Sequence, residues 1–149
     1  MSYSLIIIDM QPHFPASNDF NVIDACKAEI KKAMDARASI IFVEYMGAGA
    51  TNPSLVALTD LYKKTFLVRK DDDCGATEVT RVIKQNNLAH KNIVVCGVNT
   101  DACVLETVAG LTIRFKKSKF KIISEACNSE DDHEHGLLQL SEFPKCKII

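Results

Sequence analysis

The chain reads as an α/β protein: a single domain of three layers, α/β/α, on a mostly parallel sheet of five or six strands. Three observations predict this. Short apolar runs ending in a polar residue recur along the chain, as strands buried on both faces do. Between them lie stretches with apolar residues at helical spacing. The alternation of the two calls for right-handed crossovers, and so for a parallel sheet with helices on both sides.

The first strand is Tyr3–Asp9 (YSLIIID), a continuous apolar run closed by an acid. From Asn21 to Ala38 a helix follows, with Val22, Ile23, Cys26, Ile30, Ala33 and Met34 inward and lysines outward. Ser39–Tyr45 is the next strand. Gly47, Gly49, Asn52 and Pro53 mark a loop before a short helix over Leu55–Leu61. Thr65–Lys70 is a third strand, Ala76–Leu88 a helix with Val79, Val82 and Ile83 on one face, and Asn92–Val98 a fourth, buried strand. Thr100 can cap a helix running from Asp101 to Phe115. Phe120–Ser124 is a fifth strand, Asp131–Glu142 a last helix, and Lys145–Ile149 an edge strand guarded by two lysines.

The 149 residues suit one domain with its own core, spanning 1–149. At 47% hydrophobic and 25% charged residues the composition is globular, which excludes disordered and collagen-like classes. A formal charge of −1 points to neither a polyanionic partner nor an anionic membrane. Apolar runs are too short to span a bilayer, and Leu5–Ile8 is too short for a secretory signal. The six cysteines show no Cys-x-x-Cys pair and no histidine spacing that completes a zinc site. Free thiols in a reducing cytoplasm are the economical expectation.

In parallel sheets, ligands bind beyond the carboxyl ends of the strands. Asp9 ends the first strand, Lys70 ends the third, and Cys103 lies just past the fourth. These are a potential base, a cation and a nucleophile on one edge. In the first turn of a helix, Cys103 would have its thiolate favoured by free N–H groups and the helix dipole. The plainer reading of Cys103 is a small buried apolar residue. For Asp9 it is a turn aspartate, and for Lys70 a solvated strand end.

Two stretches then resemble a known family. Leu5-Ile6-Ile7-Ile8-Asp9-Met10-Gln11-Pro12-His13-Phe14 is similar to the opening motif of the isochorismatase-like cysteine hydrolases, which include nicotinamidases and N-carbamoylsarcosine amidases. Val94-Val95-Cys96-Gly97-Val98-Asn99-Thr100-Asp101-Ala102-Cys103-Val104 resembles their nucleophile motif, and Lys70 stands where their lysine does. The resemblance implies an isochorismatase-like (Rossmann-like) fold and a hydrolase of C–N bonds in small amides. It implies a triad of Cys103, Asp9 and Lys70 and a thioester intermediate. It also implies an oxyanion hole of the Asn99 and Cys103 backbone N–H groups, a cis peptide at Val98–Asn99, and substrate-binding roles for Gln11 and Phe14. A small-molecule substrate and a homo-oligomer follow from the same likeness.

The departures are as informative. After Lys70 the family has aromatic and small residues where this chain has Asp71-Asp72-Asp73-Cys74-Gly75-Ala76. Nicotinamidases place metal-binding histidines after the second strand, and Tyr45-Met46-Gly47-Ala48-Gly49-Ala50 offers none. No metal or other cofactor is therefore expected. The basic stretch Arg114–Lys121 fits a helix end and a strand start better than a nucleic-acid surface. The cluster Asp132-His133-Glu134-His135 fits an acidic first helical turn. Two rival functions remain: a non-catalytic binding protein that keeps the fold, and a redox-responsive thiol protein pairing Cys74 with Cys103.

Overall fold

The computed structural model describes residues 2–149; Met1, the first residue of the expected domain, lies outside them. Its strands are β1 (Ser4–Ile8), β2 (Ser39–Tyr45), β3 (Thr65–Lys70), β4 (Asn92–Val98), β5 (Lys119–Asn128) and β6 (Cys146–Ile148). They form one sheet in the order β3-β2-β1-β4-β5-β6, every pair parallel. The helices are α1 (Phe20–Asp35), α2 (Pro53–Val56), α3 (Ala76–Gln85), α4 (Leu105–Arg114) and α5 (His133–Ser141). None is long and apolar enough to cross a membrane.

β1 lies at the centre, and all five of its residues are buried. Because a strand points alternate side chains to opposite faces, Ile6 and Ile8 enter one core while Leu5 and Ile7 enter the other. The first core is closed by Val79 and Ile83 of α3, Val108 and Leu111 of α4, and Leu140 of α5. The second is closed mainly by α1, through Val22, Ile23, Cys26, Ile30 and Ala33. Each fully buried Val, Leu or Ile among these contributes roughly 1.5–3 kcal/mol. The sheet edge that carries the site is therefore backed by a rigid two-sided core. All six cysteines are free thiols.

Some boundaries differ from the sequence reading. The expected Leu55–Leu61 helix is one turn of α2, started by Pro53 and capped by Asn52, followed by a 3₁₀ turn over Ala57–Thr59. β5 runs on past Ser124 to Asn128, because its pairing with β4 slips between Val95 and Gly97 and then resumes. That irregularity breaks the alternation of side chains from which a strand is read. Thr100 does not cap a helix. It opens a π turn over Thr100–Val104, and its hydroxyl meets His133 Nδ1 at 2.7 Å.

Candidate active site

Asp9, the first residue beyond β1, adopts a left-handed backbone (φ 53°) and turns the chain out of the sheet. Its N–H is held by Val43 O at 2.9 Å. β2 lies between β1 and β3, and the β2–β3 register sets Tyr45 opposite Lys70. The Lys70 side chain thus runs back toward Asp9 over the Tyr45 ring, its Nζ 4.1 Å from the ring centroid. Its ammonium donates to Asp9 Oδ2 at 3.0 Å, to Cys103 Sγ at 3.3 Å and to the Asp72 carbonyl at 3.0 Å. Asp9 and Lys70 are each only 1% exposed. A lysine is rarely buried unless paired, and this one has three acceptors.

Cys103 sits on the π turn rather than in the first turn of an α-helix. Here the Asn99 carbonyl accepts from Ala102 N and Val104 N, both at 3.1 Å, and passes over Cys103 N. An α turn would have bonded the Cys103 N–H to that carbonyl, and such bulges recur at functional sites. The Val98–Asn99 peptide is cis. The turn is clamped from α5: a Cβ on Gly136 would lie 2.7 Å from Asp101 N, so only glycine lets the two backbones approach. Asp101 is held in turn by Ser129 and by the Asp132 N–H.

The electrostatics correct one expectation. Burial first, then the adjacent Asp9 carboxylate, pushes the Cys103 thiol up to about 12, against the opposing pull of Lys70. The resting sulfur is therefore a protonated thiol at neutral pH. The favourable helix start read from sequence is outweighed by desolvation and a like charge. Burial likewise lifts the Asp9 carboxyl above its usual range, with Lys70 pulling the other way. Asp9 Oδ1 is buried without a hydrogen-bond partner. The group nearest in chemical purpose is the Cys103 thiol, close enough to shift the Asp9 ionisation.

Gln11 is fully buried, and its amide is spent on the loop after β2. Nε2 donates to Tyr45 O at 3.0 Å and to Gly49 O at 2.6 Å, and Oε1 accepts from Tyr45 N at 2.9 Å. It positions Tyr45. Phe14 is half-buried and meets the Tyr45 ring edge-on, centroids 6.2 Å apart. Two residues of the site escaped the sequence reading. Tyr45 was legible as the end of the second strand, but its place beside Lys70 and its aromatic contact depended on register. Asp73, in sequence only one of three acids after Lys70, is exposed, and its Oδ1 accepts from Cys103 Sγ at 3.8 Å. Cys74 is half-buried in the α3–α4 core, beside Gly110.

The residues present do not fit a metal centre. Among the described residues no three His, Cys, Asp or Glu side chains converge to hold an ion, and the loop Met46–Asn52 carries no such side chain.

Solved structures with this fold differ widely in sequence. The nicotinamidase from Staphylococcus aureus superposes with a TM-score of 0.82 at 17% identity, over 100% of both chains. A MAR1 ribonuclease from Caenorhabditis elegans gives 0.81 at 20% identity, over 95% of this chain and 73% of that one. N-carbamoylsarcosine amidase from Thermoplasma acidophilum gives 0.76 at 13% identity, over 99% and 95%. At these identities the likeness shows the fold alone. Comparison with curated protein sequences finds no match. The model of the isochorismatase domain, however, matches residues 3–144, nearly the whole described chain, and the protein belongs to the isochorismatase domain family.

Proposed function

We propose that this protein is a cysteine hydrolase of the C–N bond in small amides, with Cys103 as nucleophile, Asp9 as base and Lys70 as the cation that holds both. The observation that carries the reading is the Lys70 ammonium shared between the Asp9 carboxylate and the Cys103 sulfur. A thiol with a pKa of about 12 is a poor nucleophile as it stands. Its proton has to leave as the sulfur attacks, and a carboxylate lifted above its ordinary range is better matched to receive it.

In the first step Cys103 Sγ bonds to the amide carbon while its proton passes to Asp9, and the carbonyl π pair moves to oxygen. The backbone N–H groups of Asn99 and Cys103 hold that oxyanion, which the π turn favours by leaving Cys103 N outside the Asn99 carbonyl pairing. Losing one such donor costs about 2.7–4 kcal/mol of barrier. The oxyanion then collapses, the C–N bond breaks, and the leaving amine takes the proton from Asp9. Water attacks the thioester and gives Asp9 a proton. Collapse of this second intermediate breaks the C–S bond, returns the proton to sulfur and releases a carboxylic acid. Gln11 serves by holding Tyr45, and Phe14 and Tyr45 supply the aromatic wall.

The test is ammonia release from a panel of small amides by wild type and Cys103→Ala, followed by intact mass of the protein quenched during turnover. Loss of release in the variant, with a hydrolysable acyl adduct on Cys103 in the wild type, is expected. Equal release by both proteins refutes the reading.

A further inference from the structure

The formal charge of −1 conceals a segregation of charge along the strand direction. Among the described residues, the connections leaving the carboxyl ends of the strands contain no lysine or arginine. They carry instead the exposed acids Asp71, Asp72, Asp73, Glu130, Asp131 and Asp132. The connections at the opposite edge carry Arg37, Lys63, Lys64, Lys91, Lys116 and Lys117. The site thus opens within the acidic end of the molecule, and its one cation, Lys70, is buried and fully engaged.

Asp73 brings that charge to the reacting atom. Its Oδ1 lies 3.8 Å from Cys103 Sγ, and it makes no ion pair among the described residues. Its main chain is tied down: the N–H donates to Asp72 Oδ1 at 2.6 Å, and the carbonyl accepts from Thr107 at 3.5 Å. The carboxylate is therefore held at the sulfur while still free to meet a ligand. The half-buried Tyr45 ring, backed edge-on by Phe14 and with Lys70 already over it, lies in the same site.

We propose that Asp73 is the specificity-determining residue and that it selects amides bearing a short cationic group, such as an ammonium two or three bonds from the scissile carbonyl. The inference rests on the reading of Cys103 as nucleophile. A carbonyl carbon placed for attack about 3–3.5 Å from the sulfur leaves such an ammonium within charge-assisted hydrogen-bond reach of Asp73, about 2.7–2.9 Å. An anionic substituent at that position meets a carboxylate, and the nearby Lys70 ammonium is already engaged by Asp9, Cys103 and the Asp72 carbonyl.

The experiment compares labelling rates of Cys103 by three methanethiosulfonates of similar size: neutral hydroxyethyl, cationic aminoethyl and anionic sulfonatoethyl. Sites are assigned by peptide mass in wild type and Asp73→Asn, both checked for folding by circular dichroism. The cationic-to-anionic rate ratio at Cys103 should exceed that of a free cysteine peptide at least tenfold, and should fall at least threefold in Asp73→Asn. Asp131→Asn, with its carboxylate on the outer rim, should lower the ratio less than Asp73→Asn does. A wild-type ratio within twofold of the free peptide, or one that Asp73→Asn leaves in place, overturns the proposal while the neutral reagent still reports a reactive Cys103. No reaction even with the neutral reagent would instead remove the nucleophile reading, and this inference with it. In turnover, kcat/KM for β-alaninamide should exceed that for succinamate; the reverse order also overturns the proposal.

Discussion

Replacing Lys70 by methionine separates the cation from the rest of the site while keeping most of its length. The wild-type pair is 3.0 Å apart, with both groups almost wholly buried. At an effective dielectric near 20, unit charges at that distance attract by about 5 kcal/mol. Removing one partner of a buried pair typically costs about 3–5 kcal/mol, because the other charge stays desolvated. The cost has a pH signature. The Asp9 carboxyl is raised already in the wild type, with Lys70 opposing the rise. A carboxyl whose folded pKa exceeds its unfolded value favours the fold when protonated, and this contribution is lost as pH rises through the folded pKa. Without Lys70 the folded pKa climbs further, so the loss extends over a wider range. The destabilisation of Lys70→Met should therefore be small at acid pH, where Asp9 is neutral in both proteins. It should grow toward neutrality to about 3 kcal/mol or more, and level off once pH passes the Asp9 pKa of the variant. Urea unfolding of wild type, Lys70→Met, Asp9→Asn and the double variant at several pH values measures it. The double variant should be more stable near neutral pH than the two single costs together predict. A pH-independent cost, or strict additivity, would refute coupling between the two charges.

Two further outcomes follow from the geometry. Asp9→Asn should cut kcat by roughly 10²–10⁴, the usual range for losing a positioned base. It should at the same time lower the Cys103 pKa from about 12, because the carboxylate that raises it is gone; thiolate absorbance against pH measures this, and an unchanged or higher pKa refutes the assignment. Gly97→Ala should abolish folding or cost more than about 4 kcal/mol in urea unfolding, an exceptional value for one residue. Its φ of 128° excludes a side chain, and a Cβ would lie 2.1 Å from Ile8 O, in the strand that carries Asp9. A loss under about 1 kcal/mol would show that β1 and β4 do not pack as described.

The fold class was legible because a strand buried on both faces must be largely apolar, and β1, β2 and β4 each carry such a run: Leu5–Ile8, Ile40–Val43 and Ile93–Val98. β2, β3 and β4 begin and end where their residue patterns do. The edge of the sheet that holds the site was legible for a related reason: the strands are parallel, so their polar carboxyl-terminal residues all emerge together. Asp9, Lys70 and Cys103 are candidates on that ground alone. What local pattern could not carry was anything that depends on register or on packing between distant segments. The π turn at Cys103 stands where a Thr100 cap was expected, and α5 presses Gly136 against Asp101 there, a contact between residues far apart in the chain. The state of the sulfur was misread for the same reason. A helix start stabilises a thiolate through local dipoles, whereas here burial and the Asp9 carboxylate, brought close by the β1–β4 pairing, count for more. Asp73 shows the division most clearly. In sequence it is one of three like acids in a loop. Only the tertiary structure aims one of them at the thiol, since charge and burial at an atom are set by what surrounds it in space.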